Sequence, residues 1–173
     1  MQNILTRAEK IKLVIFDVDG VLTDGSLYLT EQGEELKAFN SRDGHGMKML
    51  QSSGVDIAII TGRTSNIVSH RMQELGIKHV YQGQHNKVIA YEKLLTELNI
   101  SAHQVAYVGD DIVDLPVMRK VGLSVAVQDA HQLVKKHAHW VTPSIGGKGA
   151  GRDICELIMQ GHGVLETELE KYL

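Results

Sequence analysis

The residues best suited to chemistry form two acidic clusters far apart in the chain. They are Asp17-Val18-Asp19-Gly20, followed by Val21-Leu22-Thr23-Asp24-Gly25, and Gly109-Asp110-Asp111-Ile112-Val113-Asp114. Residues i and i+2 of an extended segment share a side, and Gly20 lets the backbone turn sharply, so Asp17 and Asp19 can aim into one crevice. Carboxylates brought that close repel. The remedies are a raised pKa on one of them or a bound divalent cation, and hard oxygen ligands favour magnesium. Between the clusters lie Thr61-Gly62-Arg63 and Lys87. A hydroxyl, backbone N–H groups and an ammonium around a metal make an anion site, with phosphate the natural candidate. Singly, each feature has a plain structural reading: the Asp-x-Asp as a turn, Thr61 as a helix cap, Lys87 as a solvated side chain. Only their joint placement points to chemistry.

That placement depends on the elements around them. Four apolar runs, Leu13 to Phe16, Ile57 to Ile60, Val105 to Val108 and Leu123 to Val127, lack inside/outside alternation, as strands covered on both faces of a parallel sheet should. Helical patterns alternate with them. One runs from Gly44 to Ser53, and a second follows Ser65 and stops at Gly76. A third spans Lys87 to Leu98, and a fourth opens at Asp114-Leu115-Pro116 and closes at Gly122. The expected fold is α/β, a doubly wound, Rossmann-like parallel sheet, which binds ligands at the carboxyl ends of its strands. Asp17, Thr61 and Asp110 follow three of the runs, and Lys87 opens a helix. Ser26 to Thr30 and Glu34 to Phe39 flank the turn Glu31-Gln32-Gly33 and read as a β-hairpin overhanging the first strand. Past Trp140 come a loop, Gly146-Gly147-Lys148-Gly149-Ala150-Gly151, a helix from about Arg152 to Gln160, and a charged tail, Leu165 to Leu173, readable as short helix or frayed end.

Composition narrows the classes. With 173 residues, 43% hydrophobic and 23% charged, the expectation is one soluble domain over residues 1–173. The balance of 18 basic against 21 acidic side chains lacks the clustered positive charge that holds nucleic acid. The apolar runs fall far short of the roughly 20 residues that span a bilayer, and Met1 to Lys12 lacks a signal peptide's apolar core. Cys155 is the single cysteine, so no intrachain disulfide can form and a cytoplasmic location is expected; it reads as a buried, inert thiol. The nine histidines are scattered, with His137 and His139 the one close pair and no His-Glu-x-x-His arrangement.

An Asp-x-Asp, a Thr, a Lys and a Gly-Asp-Asp cluster with a further Asp, in this order, resemble the signatures of the haloacid dehalogenase superfamily of phosphatases. The resemblance implies that Asp17 is the nucleophile that becomes an aspartyl phosphate. It implies that Asp19 is the general acid that protonates the leaving oxygen and later activates water. For that first role the surroundings of Asp19 are expected to raise its pKa. Magnesium would take Asp17, the backbone carbonyl of Asp19 and Asp110, while Thr61 and Lys87 would bind the phosphoryl oxygens. Asp111 and Asp114 would hold Lys87 or metal-bound water.

Larger members of that superfamily carry a cap domain, for which this chain has no room. Asp19 to Thr61 holds only the hairpin and one helix, and Thr61 to Lys87 one helix and a short strand. A neighbouring subunit is then the natural cover for the crevice, with the glycine loop and tail expected to reach across. From about Lys10 to Gly161 the resemblance sharpens to the branch that hydrolyses 3-deoxy-D-manno-octulosonate 8-phosphate. It is carried by Asp17 to Gly25, Gly33-Glu34-Glu35-Leu36-Lys37-Ala38-Phe39-Asn40, Arg42-Asp43-Gly44, Thr61-Gly62-Arg63, Val108 to Asp111 and Gly146-Gly147-Lys148-Gly149-Ala150.

This branch implies an uncapped, magnesium-dependent homotetramer of the bacterial cytoplasm, serving lipopolysaccharide synthesis. Its substrate bears a phosphate at one end and a carboxylate at the other. The implied contacts are Asp19, Asn40, Ser41, Arg42, Asp43, Gly44, Lys48, Arg63, Arg71 and Lys87, with Lys148 from the neighbour; arginine forks suit a carboxylate. Lys48 and Arg71 read equally well as surface charges. Gln84-His85-Asn86 before Lys87, and Lys148 where arginine is commoner, depart from the usual pattern without removing a required group. Three other readings stay open: a phosphatase for a nine-carbon sugar acid 9-phosphate, a phospho-accepting receiver-like module, and a non-catalytic binding partner.

Overall fold

The uniformly apolar runs become the middle of a six-stranded sheet in the computed structural model, which describes residues 2–173. The strands are β1 (Leu13–Phe16), the hairpin pair β2 (Tyr28–Leu29) and β3 (Glu35–Leu36), β4 (Asp56–Ile60), β5 (His79–Tyr81), β6 (Val105–Gly109), β7 (Leu123–Ala126) and β8 (Trp140–Val141). The main sheet runs in the order β5-β4-β1-β6-β7-β8 and every pairing is parallel. β1 lies at its centre, with Phe16 in register with Ile59 on one side and Val108 on the other. All four residues of β1 are fully buried, the result of covering both faces, and this is why the run shows no polar alternation.

Among the described residues eight helices supply the covering: α1 (Gln2–Ala8), α2 (Ser41–Ser52), α3 (Asn66–Glu74), α4 (Lys87–Leu98), α5 (Leu115–Met118), α6 (Gln132–His137), α7 (Ala150–Gly161) and α8 (Leu165–Glu170). α1 and α2 both pack on α7, and α4, α5 and α6 form the second layer. From β1 the chain winds outward through β4 to β5, then returns to β6 and winds the other way. The reversal falls between β1 and β6, where the carboxyl ends of adjacent strands open a crevice. Asp17 and Asp110 stand at those two ends.

Several elements differ from the sequence reading, each for a local reason. α2 begins at Ser41, not Gly44, because the side chain of Asn40 accepts from the Arg42 N–H at 2.8 Å and caps the helix. The helix expected after Asp114 is one turn of α5 preceded by a 3-10 turn, Ile112–Asp114, whose cap is Asp111. The hairpin pairs only two residues on each side and forms a separate two-stranded sheet. The tail is helical over α8, with Glu168 against Ser52 Oγ and Tyr172 edge-on to His45, both on its own α2.

The glycine loop also departs from expectation: it folds back under its own chain and does not reach outward. Gly147 N–H donates to the Val21 carbonyl at 2.9 Å, Gly146 N–H to Asp129 Oδ1 at 2.9 Å, and Asn40 Nδ2 to the Gly147 carbonyl at 3.3 Å. A Cβ at Gly146 would stand 1.9 Å from the Gly20 carbonyl oxygen. The glycine is therefore needed for the close approach of two backbones. Lys148 alone in this segment is exposed between buried neighbours. Among the described residues no helix is long and apolar enough to cross a membrane.

Candidate active site

Asp17 follows directly on β1 and is buried to 6% exposure. Its Oδ1 accepts from the Val18 N–H at 2.6 Å and its Oδ2 from Lys87 Nζ at 2.6 Å. Lys87 is placed by the start of α4, where the Asn86 side chain caps the helix by accepting from Val88 N–H. Its ammonium, 4% exposed, also donates to Asp114 Oδ1 at 2.7 Å. Asp114 is fully buried and saturated: Oδ1 accepts from Lys87 and from the Tyr107 hydroxyl at 2.7 Å, and Oδ2 from the N–H groups of Asp110 and Asp111. Gly20, at φ +85°, turns the chain after Asp19, and a Cβ there would lie 2.1 Å from Asp110 Oδ2. The missing side chain is what lets Asp110 lie against the loop after β1.

Carboxylate oxygens of Asp17, Asp110 and Asp114 lie within 4.8 Å of one another. Burial, then the charge of Asp114, push the Asp17 carboxyl up to about 6, with Lys87 opposing the rise. Burial, then the charges of Asp114 and Asp17, push Asp110 up to about 8. Burial works against the charge of Lys87, but Asp17 and Asp114 outweigh it and its pKa is raised. One ammonium thus faces three carboxylates. The oxygens of Asp114 are occupied by four donors, whereas each oxygen of Asp17 accepts only one, so Asp17 and Asp110 keep lone pairs for a cation. An uncompensated, all-oxygen acidic set fits a hard divalent ion such as magnesium.

A crevice of about 260 Å³ opens above this set, lined by Asp17, Asp19, Thr61, Arg63, Lys87 and Asp110, with Gly62, Gln84, His85, Asp111 and Val113 completing the wall. Thr61 is fixed by its N–H to the Tyr81 carbonyl and its own carbonyl to Gln84 N–H. Asp19 is met by cations and not by an apolar wall: Lys37 Nζ bonds to it directly and Arg63 Nε stands 3.7 Å away.

The sugar-acid contacts expected from the sequence divide. Arg63 stands in the crevice, beside Asp19 and 2.6 Å from Glu35. Ser41, Gly44, Lys48 and Arg71 line a separate groove with His45 and Glu74, and Arg71 pairs with Glu74 at 2.7 Å. Asn40 caps α2, and Arg42 is exposed. Asp43 turns inward, 2% exposed, its Oδ1 accepting from the Arg152 N–H at 2.8 Å; burial raises its pKa. Within this chain Ser41, Gly44, Lys48 and Arg71 thus lie in a different groove from Arg63. The start of α2 meets α3 where Gly44 lies against Arg71, and α7 where Asp43 accepts from Arg152 N–H. Of the two aspartates expected to hold Lys87 or metal-bound water, Asp114 holds Lys87, while Asp111 Oδ1 accepts from its own Ile112 N–H.

Sequence reasoning missed Tyr107, hidden inside an apolar strand, and Glu35 and Lys37, which read as hairpin residues. No pattern in one chain announces that a hairpin lysine folds down on a carboxylate near residue 19. His139 is bonded through Nδ1 to Ser124, and burial lowers its pKa. Cys155 is buried, and burial raises its thiol's pKa, so it stays protonated.

Comparison with known proteins agrees with this geometry. Residues 79–150 match the family described as haloacid dehalogenase-like hydrolase. The chain is 53% identical over 164 residues to the 3-deoxy-D-manno-octulosonate 8-phosphate phosphatase KdsC of Salmonella typhi, covering 95% of this chain and 87% of that one. It superposes on the 3-deoxy-D-manno-octulosonate 8-phosphate phosphatase of Moraxella catarrhalis, solved with a magnesium ion, a phosphate ion and a KDO molecule. That match has a TM-score of 0.98 and 38% identity, covering 100% of this chain and 99% of that one. The cobalt-bound deoxy-D-mannose-octulosonate 8-phosphate phosphatase of Haemophilus influenzae gives a TM-score of 0.90 at 43% identity, covering 93% and 94% of the two chains.

The raised pKa values set a pH dependence. A carboxyl whose pKa is higher folded than unfolded binds its proton more tightly in the folded chain. Its stabilisation is present at the ordinary carboxylate pKa of 3.8 and below, and is lost as pH rises through about 6 for Asp17 and about 8 for Asp110. Binding of magnesium should therefore release protons at low pH, and its effect on the melting temperature should be larger at about pH 8.5 than at about pH 5.5; equal shifts would contradict the assignment. Gly20→Ala should push Asp110 aside and weaken magnesium binding roughly 10–100-fold by titration calorimetry, with far-UV circular dichroism retained.

Proposed function

The chain belongs to the 3-deoxy-D-manno-octulosonate 8-phosphate phosphatases of the haloacid dehalogenase-like hydrolases, and from that premise we propose that it hydrolyses this ester to the free sugar acid and inorganic phosphate through an aspartyl phosphate on Asp17. The observation that carries the reading is the convergence of Asp17, Asp19, Thr61, Lys87 and Asp110 on one crevice at the reversal of the sheet.

The chemistry follows from what each group can do. Asp17 attacks phosphorus as its bond to the sugar oxygen breaks, and Asp19 gives that oxygen a proton. Asp19 then takes a proton from the water that cleaves the aspartyl phosphate and frees Asp17. Lys87 neutralises a phosphoryl oxygen, with Thr61 as a second donor, and Asp114 keeps Lys87 aimed at Asp17 through the 2.7 Å bond described above. Asp17, the Asp19 carbonyl oxygen and Asp110 would hold a magnesium ion, which would supply the positive charge that keeps Asp17 ionised and offsets charge on the transferred group. Arg63, about half exposed at the mouth, is the cation of this chain placed to meet the sugar acid. Asn40, Ser41, Arg42, Asp43, Gly44, Lys48, Arg71 and Lys148 as substrate contacts rest on the family resemblance.

The hairpin supports assembly into a homo-oligomer, which by resemblance is a tetramer. A two-stranded ribbon is marginal alone, yet this one presents Leu27, Tyr28, Leu29 and Leu36 at 45–63% exposure beside the open crevice. A second copy packed there would bury the apolar face and cover the site. A single domain over the chain, a cytoplasmic location and a place in lipopolysaccharide synthesis complete the reading.

Asp17→Asn should cut magnesium-dependent phosphate release about 10³-fold or more with folding retained; undiminished release would remove the nucleophile. In the wild type, turnover of the octulosonate 8-phosphate should exceed that of a nine-carbon sugar acid 9-phosphate and vanish when magnesium is chelated. The double variant Leu29→Lys, Leu36→Glu should shift the chain to a smaller species in light scattering and raise KM for the sugar phosphate. An unchanged mass would count against packing through the hairpin.

A further inference from the structure

We propose that Lys37 is a positioning residue for Asp19, which makes the hairpin part of the machinery for proton transfer as well as the rim of the crevice; the inference rests on the acid role of Asp19 proposed above. The contrast among the acidic side chains carries it. Asp17 is pinned at both oxygens by Val18 N–H and Lys87, and Asp114 by four donors. Asp19 precedes Gly20, where φ is +85°, and among the described hydrogen bonds no backbone N–H reaches its carboxylate. Its one hydrogen-bond donor is Lys37 Nζ, with Arg63 Nε 3.7 Å away.

Lys37 is not a solvated surface charge. It lies just beyond β3 with its side chain 2% exposed, whereas Asp19 is 21% and Glu35 16% exposed. A lysine withdrawn from water that far needs anionic partners, and it has two, Asp19 and Glu35, the second at 3.3 Å. Arg63 closes the set by bonding Glu35 at 2.6 Å. Two carboxylates and two cations thus alternate, and the arrangement ties β3 to the residue after β1. A general acid works only when its proton is held within hydrogen-bond reach of the departing oxygen, and small displacements are costly. Lys37 supplies for Asp19 the restraint that the backbone supplies for Asp17.

The step concerned is the first. The bond from Asp17 to phosphorus forms, the bond from phosphorus to the sugar oxygen breaks, and the Asp19 carboxyl proton passes to that oxygen. A sugar alkoxide needs this proton to leave, while p-nitrophenolate leaves without one. The ratio kcat/KM reports only steps up to departure of the leaving group. The test measures it with magnesium for 3-deoxy-D-manno-octulosonate 8-phosphate and for p-nitrophenyl phosphate, in wild type, Asp19→Asn, Lys37→Met and Lys37→Arg.

Lys37→Met should lose about 10²-fold on the sugar phosphate and far less on p-nitrophenyl phosphate, in the same sense as Asp19→Asn, and Lys37→Arg should recover most of the loss. Should Lys37→Met fail to fold by circular dichroism, Lys37→Gln reads the same difference. Equal losses on the two esters, or none, while Asp19→Asn keeps its difference, overturn the role of Lys37 and leave the proposed function standing. Equal losses for Asp19→Asn overturn the acid role and that of Lys37 with it. Wild type inert toward both esters overturns the proposed function itself.

Discussion

Three buried carboxylates against one buried ammonium form the constraint on which the site depends. Asp17, Asp110 and Asp114 come together because the strands that end in them, or in the turn before them, are neighbours at the centre of the sheet. Folding alone does not balance their charge. Lys87 satisfies Asp17 and Asp114, Tyr107 and two backbone N–H groups complete Asp114, and Asp110 is left with its carboxyl pushed up to about 8. The protein stores electrostatic tension here, which protons relieve at low pH and a divalent cation relieves at neutral pH.

The remainder of the molecule serves this arrangement by close approach. Gly20 gives Asp110 room, Gly109 admits the Asp114 side chain, and Gly146 lets the late loop slide beneath the Gly20 carbonyl. None of these contacts survives a Cβ without displacement. The loop after β1 is thereby supported from below by residues that come more than a hundred positions later in the chain, and Asn40 adds a bond from the start of α2. Rigidity at the acidic cluster is thus assembled from distant segments, as a preorganised site requires.

The upper side of the crevice is built differently. In place of a cap domain the chain offers a short ribbon, fastened to Asp19 by Lys37 and bearing exposed apolar residues on its outer side. One element thus meets both the acidic loop and the solvent face that a second copy would bury. The association proposed above would account at once for an open crevice, a marginal ribbon and an apolar patch.

The sequence by itself determined the four central strands of the sheet, because strands buried on both faces must be apolar throughout and that signal is local. It also determined that Asp17, Thr61 and Asp110 stand at strand ends and that Lys87 opens a helix, since each is adjacent in the chain to the element that positions it. Hairpin length, the early start of α2 at its Asn40 cap, and the existence of α1, α6 and β8 were not legible, because elements of a few residues carry no periodicity.

Only the tertiary structure decided which side chains meet. It joined Lys37 to Asp19, hid Tyr107 behind Asp114, turned Asp43 into the start of α7, and folded the glycine loop inward. These outcomes depend on contacts between segments far apart in the chain, whose energies come from burial and charge in three dimensions and leave no mark on the spacing of residues along one.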